Sequence, residues 1–383
     1  MPLEVIDNPA DLRALEPEWA ELAQPTPMQS PAWLIAWWEA CGESDGHCHL
    51  ATLAVRDDDG RLIGLAPWYL TRNPLLGPTL RVLGDGRAAT DHSTLLCGSS
   101  EHEPAVVTAV ARWIVDNAGH AWRRLRLENL DADDRPTTEL FRLLEDAGID
   151  TEWVASVDSF PIAFPESVRE TDDADERWDA YLASLSKNRR KKLRRWQRDW
   201  FDTERATVRV AKSEADRREL WPLLVDLHGE RRRAMGEQGV FDLPEFNRFH
   251  DLASARLLAE GRLYLALLEL DGEPAAIEYA LRDDDCHYAY QGGISVAGLG
   301  SDAGHLSMMA TCRAALAAGN TRFDLLRGDE PYKLSWGATR RASRTLHARP
   351  RDTAGSLEGA LSRVYRGWRD RRSAPTASPA LSE

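Results

Sequence analysis

The pattern of hydrophobic and polar residues along this chain predicts one series of helices and strands. The same series is then predicted a second time further along the chain. Apolar residues at helical spacing predict a helix over 31–42, which opens with Pro31 and stops at Gly42. A hairpin follows, in which residues 50–56 and 61–70 alternate around a turn of three aspartates and a glycine. The pattern then predicts strands at 93–97, 123–128 and 151–157, separated by helices at 104–117 and 137–146.

The second half begins after an acidic segment, 168–177, which we interpret as a linker. Its hairpin, 263–270 and 274–282, turns at Asp271-Gly272 and leads into a strand at 286–294. The remaining predicted elements are helices at 178–184, 187–201, 214–235, 244–260 and 305–318 and strands at 207–211, 321–326 and 343–348. We therefore predict an α/β protein with mixed sheets that arose by duplication. The alternative is that any mixed α/β chain offers two such hairpins.

The predicted organisation has three parts: an N-terminal half at 1–165, a C-terminal half at 176–350, and a tail at 351–383. The tail holds a helix at 357–368 with a basic face, and we expect 373–383 to be disordered. Such a helix suits packing on the core or contact with a membrane surface.

Composition limits the functional classes. The net charge of −14 argues against general nucleic-acid binding, which needs a basic domain. The five cysteines are odd in number and form no C-x-x-C pair, so neither a disulfide framework nor a thiolate metal site is expected. We also expect no signal peptide and no membrane span, and hence a cytoplasmic protein.

A glycine-rich segment at 295–305 lies between a predicted strand and a predicted helix. Gly298, Gly300 and Gly304 would let backbone N–H groups approach a ligand, and Ser301 is the expected N-cap before His305. A helix N-terminus with free N–H donors binds phosphate well, and the pyrophosphate of coenzyme A would fit. A simple loop is the alternative.

Several motifs of this chain resemble those of CelD/BcsL-type acetyltransferases, a GNAT branch linked by name to cellulose and exopolysaccharide biosynthesis. They are Gly64-Leu-Ala-Pro67, Leu185-Ser-Lys-Asn-Arg189, Leu227-His228, Gly239-Val-Phe241, the Ser301-x-x-Gly304 turn and the run Phe323 to Lys333 followed by Trp336. The resemblance covers most of residues 30–345. It implies two tandem GNAT-like halves, an acyl-CoA donor such as acetyl-CoA, and relation to the Fem peptidoglycan aminoacyltransferases.

Two features depart from these families. Asp91-His92-Ser93-Thr94 stands where the family tends to show an Asp-Tyr pair with a second acid. The GNAT donor signature Gln/Arg-x-x-Gly-x-Gly/Ala is also not intact.

Glu278 lies in an otherwise apolar strand, and a three-residue turn would place it opposite Tyr290 with Tyr288 on the same face. A carboxylate in apolar surroundings has a raised pKa and serves as a general base near neutrality. We predict Glu278 as the base and Tyr290 or Tyr332 as the acid. A carboxylate that faces water or pairs with a tyrosine is the alternative for Glu278.

A polar cluster follows the strand at 321–326. We predict that Asp324, Arg327 and Glu330 bind the substrate, and by resemblance to the Fem enzymes that Lys333 stabilises the developing charge. The alternative is an internal ion-pair network that fixes a loop.

The helix predicted at 187–201 is strongly basic and includes two tryptophans, Trp196 and Trp200. It suits a solvated face, contact with nucleic acid, or a phosphate-bearing substrate held by Arg189. In the Fem relatives the donor is an aminoacyl-tRNA, which would give this helix a purpose.

The sequence therefore predicts an acyltransferase that moves an acyl group from acyl-CoA to an amine or hydroxyl of a saccharide or peptide, without a metal. The alternatives are a Fem-like aminoacyl-tRNA-dependent transferase and a non-catalytic RNA-binding protein.

Overall fold

The computed structural model describes residues 1–22, 26–234, 236 and 238–351. The helix predicted at 357–368 and the tail predicted at 373–383 lie outside the described residues. In the described part, no helix is both long and apolar enough to cross a membrane.

The described chain forms strands that we number in chain order. They are β1 (Leu3–Ile6), β2 (Cys48–Leu50), β3 (Thr52–Arg56), β4 (Leu62–Ala66), β5 (Trp68–Asn73), β6 (Gly77–Val82), β7 (Leu96–Cys97), β8 (Arg124–Asp131), β9 (Asp150–Ala155), β10 (Ser159–Ala163), β11 (Ala206–Val210), β12 (Leu263–Leu270), β13 (Glu273–Arg282), β14 (Cys286–Ile294), β15 (Arg322–Arg327) and β16 (Ser343–Arg349).

The helices are numbered in the same way. They are α1 (Pro9–Ala14), α2 (Glu16–Glu21), α3 (Pro31–Trp37), α4 (Glu103–Asp116), α5 (Arg135–Asp146), α6 (Ala174–Ser184), α7 (Lys187–Trp196), α8 (Glu214–Ala234), α9 (Pro244–Ala259), α10 (Ala303–Ala317) and α11 (Tyr332–Ser335). Both α3 and α7 continue through a π-helical turn, to Gly42 and to Phe201.

These strands form three sheets. One has the order β1-β3-β4-β7, the second β2-β5-β6-β8-β16-β9, and the third β10-β15-β14-β13-β12-β11. The predicted fold class, α/β with mixed sheets, is confirmed. The strand predicted at 61–70 is in fact two strands, because Pro67 ends β4 and the next residues enter another sheet as β5.

The two halves exchange strands. β10, from the end of the N-terminal half, pairs with β15 in the third sheet. In return β16 lies between β8 and β9 in the second sheet. Each half is thus completed by a strand of the other, and backbone hydrogen bonds in both sheets join the two halves.

The segment 168–177 is more ordered than a linker prediction implies. A 3₁₀ turn covers Glu166–Glu170, and α6 starts at Ala174 with the Asp173 side chain accepting hydrogen bonds from the backbone N–H groups of Asp175 and Glu176. This acidic segment therefore caps the N-terminus of α6 and also connects the two halves of the chain.

An aromatic core connects the halves. The helix α3 is buried along its whole length, and Trp33 makes edge contacts with Phe249 and His250 of α9 and with Tyr290 of β14. Because α3 precedes the first hairpin and α9 precedes the second, this packing fixes the N-terminal half against the second-half sheet.

Candidate active site

The strands β14 and β15 run parallel and then separate. Their pairing covers three residue pairs, from Cys286↔Arg322 to Tyr288↔Asp324, although β14 continues to Ile294. On its other edge β14 stays paired with β13 as far as Ile294. A cavity of about 530 Å³ occupies the gap between the separated strands. The N–H and C=O groups on the open edge of β14 can therefore pair with an extended ligand.

The N-terminal half has the same parallel pairing but no equivalent gap. β6 and β8 pair over Thr79↔Arg124 to Arg81↔Arg126, and beyond that Ser93 forms a parallel bridge to Leu130. In the N-terminal half, Ser93 therefore occupies the position that corresponds to the cavity of the second half.

Glu278 lies on β13 in the wall of the cavity. Burial raises the pKa of its carboxyl to about 8. The carboxylate sits over Gly292, where a Cβ atom would come within 3.3 Å of Oε2, so the glycine leaves room for it. Glu278 thus offers a carboxyl group that gains or loses its proton at about pH 8, close to neutrality.

The predicted pairing of Glu278 with Tyr290 is wrong. Glu278 pairs with Gly292, two residues further along β14. The turn pairs Arg282 with His287, one residue later than a three-residue turn would, and a β-bulge between Tyr279 and Ala280 adds the second residue. Tyr288 and Tyr290 pack in the aromatic core, on the sheet face opposite Glu278.

Tyr290 lines the cavity and takes part in a hydrogen-bond chain. Its hydroxyl donates to the Ala88 carbonyl at 2.7 Å and lies 3.1 Å from His250 Nε2. His250 Nδ1 lies 3.4 Å from the Tyr279 hydroxyl. Burial keeps the pKa of His250 well below its ordinary value, so the ring is neutral. The phenolic proton of Tyr290 is therefore directed at the N-terminal half.

The segment before α10 forms a 3₁₀ turn at Gly298–Gly300 and then the helix N-terminus. The predicted N-cap at Ser301 is wrong: Asp302 is the N-cap residue, with φ of 60°, and Ser301 donates its hydroxyl to the Gly298 carbonyl. The Asp302 carboxylate turns away from the helix and accepts a hydrogen bond from Trp196 Nε1 at 3.0 Å. Gly298, Gly304 and His305 line the cavity, whereas Gly300 has open space around it.

Arg189 is buried beside this helix start without a hydrogen bond to two of its nitrogens. Its guanidinium lies 4.2 Å from the ring centroid of Trp336 and 5.5 Å from that of Trp196. Nε and Nη2 are buried and have no hydrogen-bond partner among the described residues. Burial lowers the pKa of Arg189, and its charge in turn helps burial to lower the pKa of His305. Buried donors of this kind are rare, and these two are placed to bind an anion.

The cluster after β15 connects the two halves. Arg327 donates from Nε to Asp91 at 2.7 Å and from its backbone N–H to the same carboxylate at 3.1 Å. Asp324 lies 3.3 Å from His92 Nε2, and its other oxygen accepts from the Leu326 N–H at 2.7 Å. Arg327 still borders the cavity between β14 and β15. Asp324 instead borders a second cavity of about 500 Å³, which His92 and Asp131 of the N-terminal half also line.

Lys333 is buried and turned back onto the strand end. Its ammonium group donates to the carbonyls of Leu326, Arg327 and Gly328 at 3.2, 2.8 and 3.2 Å and lies 3.1 Å from Glu330. Its three N–H donors are thus all taken by the turn after β15. Tyr332 borders the cavity with 37% of its surface exposed, and its ring meets that of His305 at 6.0 Å.

Residues 187–334 match a family model described as an acetyltransferase (GNAT) domain. This segment is therefore similar to GNAT acetyltransferase domains. It runs from α7 to α11 and contains the open edge of β14, Glu278 and the start of α10.

Solved structures show the same fold over nearly the whole chain. FemX is 12% identical with a TM-score of 0.58, and the match covers 91% of this chain and 97% of FemX. The C-terminal domain of a putative lysylphosphatidylglycerol synthetase from Agrobacterium fabrum is 11% identical with a TM-score of 0.51, over 92% and 95% of the two chains. A conserved protein of unknown function from Bacteroides thetaiotaomicron is 11% identical with a TM-score of 0.55, over 91% and 99%. No curated protein matches the chain.

Sequence reasoning missed the residues that the N-terminal half brings to the GNAT domain. Ala89 and Asp91 border the cavity, and Ala88 accepts the hydroxyl of Tyr290. The sequence signal was the departure from the family at Asp91-His92. His92 also has φ of 56°, which is unusual for a residue other than glycine.

The five cysteines are free, and Cys286 and Cys312 are buried. Among the described residues no group of histidine, cysteine and carboxylate side chains could hold a metal ion.

Proposed function

We propose that this protein transfers an acyl group from acyl-CoA to an amine or hydroxyl within the cavity between β14 and β15. The observation that carries the proposal is the Glu278 carboxyl, buried in the wall of a gap whose strand edge is open. The membership of residues 187–334 in a GNAT acetyltransferase domain supports the same chemistry.

Three features suit a phosphate-bearing donor with an amide-rich arm. The open edge of β14 offers backbone groups to the arm. The α10 N-terminus offers unsatisfied N–H groups, because the Asp302 side chain does not cap them. Arg189 offers two donors without a partner. These residues would hold the donor, which supplies the activated acyl thioester.

In the reaction, the acceptor nitrogen or oxygen forms a bond to the acyl carbon, the carbon–sulfur bond breaks, and Glu278 takes the acceptor's proton. A tyrosine returns a proton to the leaving thiolate. Tyr332 is the better candidate for this step, because it borders the cavity and 37% of its surface is exposed, whereas Tyr290 is directed at the Ala88 carbonyl.

We assign the polar cluster after β15 to positioning. Lys333 holds three carbonyls of the turn, Arg327 and Asp324 hold Asp91 and His92, and Glu330 neutralises Lys333. Arg327 would also contact the acceptor, since it borders the cavity.

Calorimetry with acetyl-CoA tests the proposal. We expect saturable binding by the wild-type protein and weaker binding of acetylpantetheine, which lacks the phosphates. If acetyl-CoA does not bind, acyl-CoA is not the donor.

A second candidate is an aminoacyl-tRNA-dependent transfer of the Fem type. The exposed basic residues of α7 favour it, and FemX shares the fold. Saturable binding of a charged tRNA together with no response to acetyl-CoA would establish it. RNA binding without any transfer would instead support the non-catalytic alternative.

The finer assignments are also proposals. By its motifs the chain would act in exopolysaccharide or cell-envelope biosynthesis as a CelD/BcsL-type enzyme in the cytoplasm. The division into halves at 1–165 and 176–350 is proposed as a division of the chain, since the sheets themselves exchange β10 and β16.

A further inference from the structure

Large hydrophobic side chains are exposed around the mouth of the cavity. Of the ten such side chains exposed in the described residues, four lie here, with exposed fractions of 58% for Val296, 51% for Leu299, 37% for Tyr332 and 60% for Leu334. Leu299 and Tyr332 line the cavity, Val296 shares the turn of Leu299, and Leu334 shares α11 with Tyr332. An exposed apolar cluster at one place marks an interaction site.

The most basic of the described helices, α7, lies beside these residues. Trp196 of α7 donates to Asp302, two residues beyond the turn that contains Leu299. Arg189 of the same helix stacks on Trp336, which directly follows α11. The helix α7 therefore contacts both segments that carry the exposed apolar residues.

The outer face of α7 and its π-helical turn is positively charged. Lys187, Lys191, Arg195 and Arg198 are exposed, and no carboxylate of the described residues lies within ion-pair distance of them. The nearby carboxylates of Asp302 and Glu330 lie 3.9 and 3.1 Å from lysine ammonium groups, which partly neutralises them. Asp329 is exposed, as is Asp199 within the π-helical turn itself, and both oppose this charge.

We propose that this rim surface, meaning Val296, Leu299 and Leu334 with the outer face of α7, docks on a lipid bilayer that contains anionic lipids. Aliphatic side chains beside lysines and arginines suit the boundary between acyl chains and acidic headgroups. Each basic residue near such a surface contributes about 1 kcal/mol, so the local charge outweighs the acidity of the distant surface.

RNA fits the rim surface less well. Single-stranded RNA needs exposed aromatic rings for stacking. Trp196 is buried, and Trp200 is covered by Arg205, whose guanidinium lies 4.3 Å from the ring centroid. Of the four exposed hydrophobic side chains at the mouth, three are aliphatic and only Tyr332 offers a ring for stacking.

Docking in this way would place the cavity mouth against the membrane. If the proposed acyl transfer is correct, the acceptor is then carried on a lipid, with its amine or hydroxyl near the headgroups. This last step rests on the proposed function, whereas the docking itself does not.

Sedimentation with vesicles tests the docking without any donor or acceptor. The wild-type protein should bind phosphatidylcholine vesicles that contain phosphatidylglycerol and should not bind phosphatidylcholine alone. The double variant Lys191→Glu/Arg195→Glu and the single variant Val296→Asp should each lose about tenfold in binding. Added salt should weaken wild-type binding.

Two matched controls lie away from the rim surface. Arg135→Glu reverses a side chain that is 78% exposed in the N-terminal half, and Leu75→Asp changes one that is 87% exposed at a hairpin turn. Both should bind like the wild type. Thermal unfolding checks that each variant is folded. If Val296→Asp is not folded, the double variant Lys191→Glu/Arg195→Glu alone tests the proposal. Equal vesicle binding by rim and control variants, or wild-type binding to RNA but not to vesicles, would overturn the proposal.

Discussion

At the scale of single residues, Glu278 carries the proposed chemistry. Glu278→Gln should lower kcat by about 10²–10⁴-fold, because the amide cannot take a proton. A base works in its deprotonated form, so wild-type kcat/KM should rise with pH through about 8, the pKa that burial gives this carboxyl. A pH–rate profile measures both effects.

Glu273→Gln is the matched control, since Glu273 is exposed at the start of the same strand. It should keep wild-type activity and the wild-type pH profile. Full activity of Glu278→Gln with a normal fold would remove the assignment.

Replacing Arg189 should have different effects on the stability of the protein and on its affinity for acetyl-CoA. Arg189→Met removes a buried cation whose Nε and Nη2 have no partner, so the free energy of unfolding should stay the same or rise. The affinity for acetyl-CoA should fall about tenfold, with little change for acetylpantetheine, because a charged hydrogen bond to phosphate is lost. Urea unfolding and calorimetry measure the two quantities.

Arg195→Met serves as the control, because it is exposed on the same helix. A purely structural Arg189 would instead lower stability and leave the preference for acetyl-CoA over acetylpantetheine intact.

Sequence patterns identified Glu278 and Arg189 but not their surroundings. An acid within an apolar strand is visible in the sequence, and so is an arginine in a basic helix. The absence of partners for the Arg189 nitrogens depends on Trp196 and Trp336, and Trp336 lies far along the chain. No local pattern could show that.

At the scale of elements, β14 depends on a close approach to α8. A Cβ atom at Gly293 would lie 2.7 Å from the His228 backbone nitrogen and from the Leu227 Cβ. Gly293→Ala should therefore lower the free energy of unfolding by about 1–3 kcal/mol, as overpacking does. Chemical denaturation measures this change.

Gly46→Ala is the control, since a Cβ atom there meets nothing within 4 Å. Equal losses for both variants would show that the helix does not press on the strand as closely as described.

Strands and helices were largely predictable from periodicity, whereas the register was not. The strands at 263–270 and 286–294 lie where they were predicted. The register shift between Tyr279 and Ala280 was not predicted, because it depends on how two strands pair and not on the sequence of either one. This bulge, together with a turn that pairs Arg282 with His287, is why Glu278 faces Gly292 instead of Tyr290.

At the scale of the whole molecule, His92 holds the halves together between Asp131 and Asp324, at 2.9 and 3.3 Å. Burial lowers the pKa of His92, but the hydrogen bonds and charges of both aspartates outweigh it and raise the pKa to about 10. A raised folded-state pKa stabilises the protein fully below about 6.5, and this stabilisation is lost as the pH rises through about 10.

His92→Asn should therefore be less stable than the wild type at about pH 6, and the difference should shrink towards about pH 10. Asparagine tolerates the positive φ at this position, so the backbone need not change. Unfolding by urea across this range measures the difference, and His49→Asn, at an exposed histidine, is the control. A difference in stability that does not depend on pH would show that a charged His92 between Asp131 and Asp324 does not stabilise the protein.

The sequence by itself determined the α/β class, the order of elements, the strand that carries Glu278 and the glycine-rich turn before α10, because hydrophobic period and turn residues are local properties. The tertiary structure alone decided the exchange of β10 and β16, the gap between β14 and β15, and the contact of Asp91 and His92 with the second half. These features join residues up to 236 positions apart, and such pairings depend on how whole sheets pack, which no local pattern records.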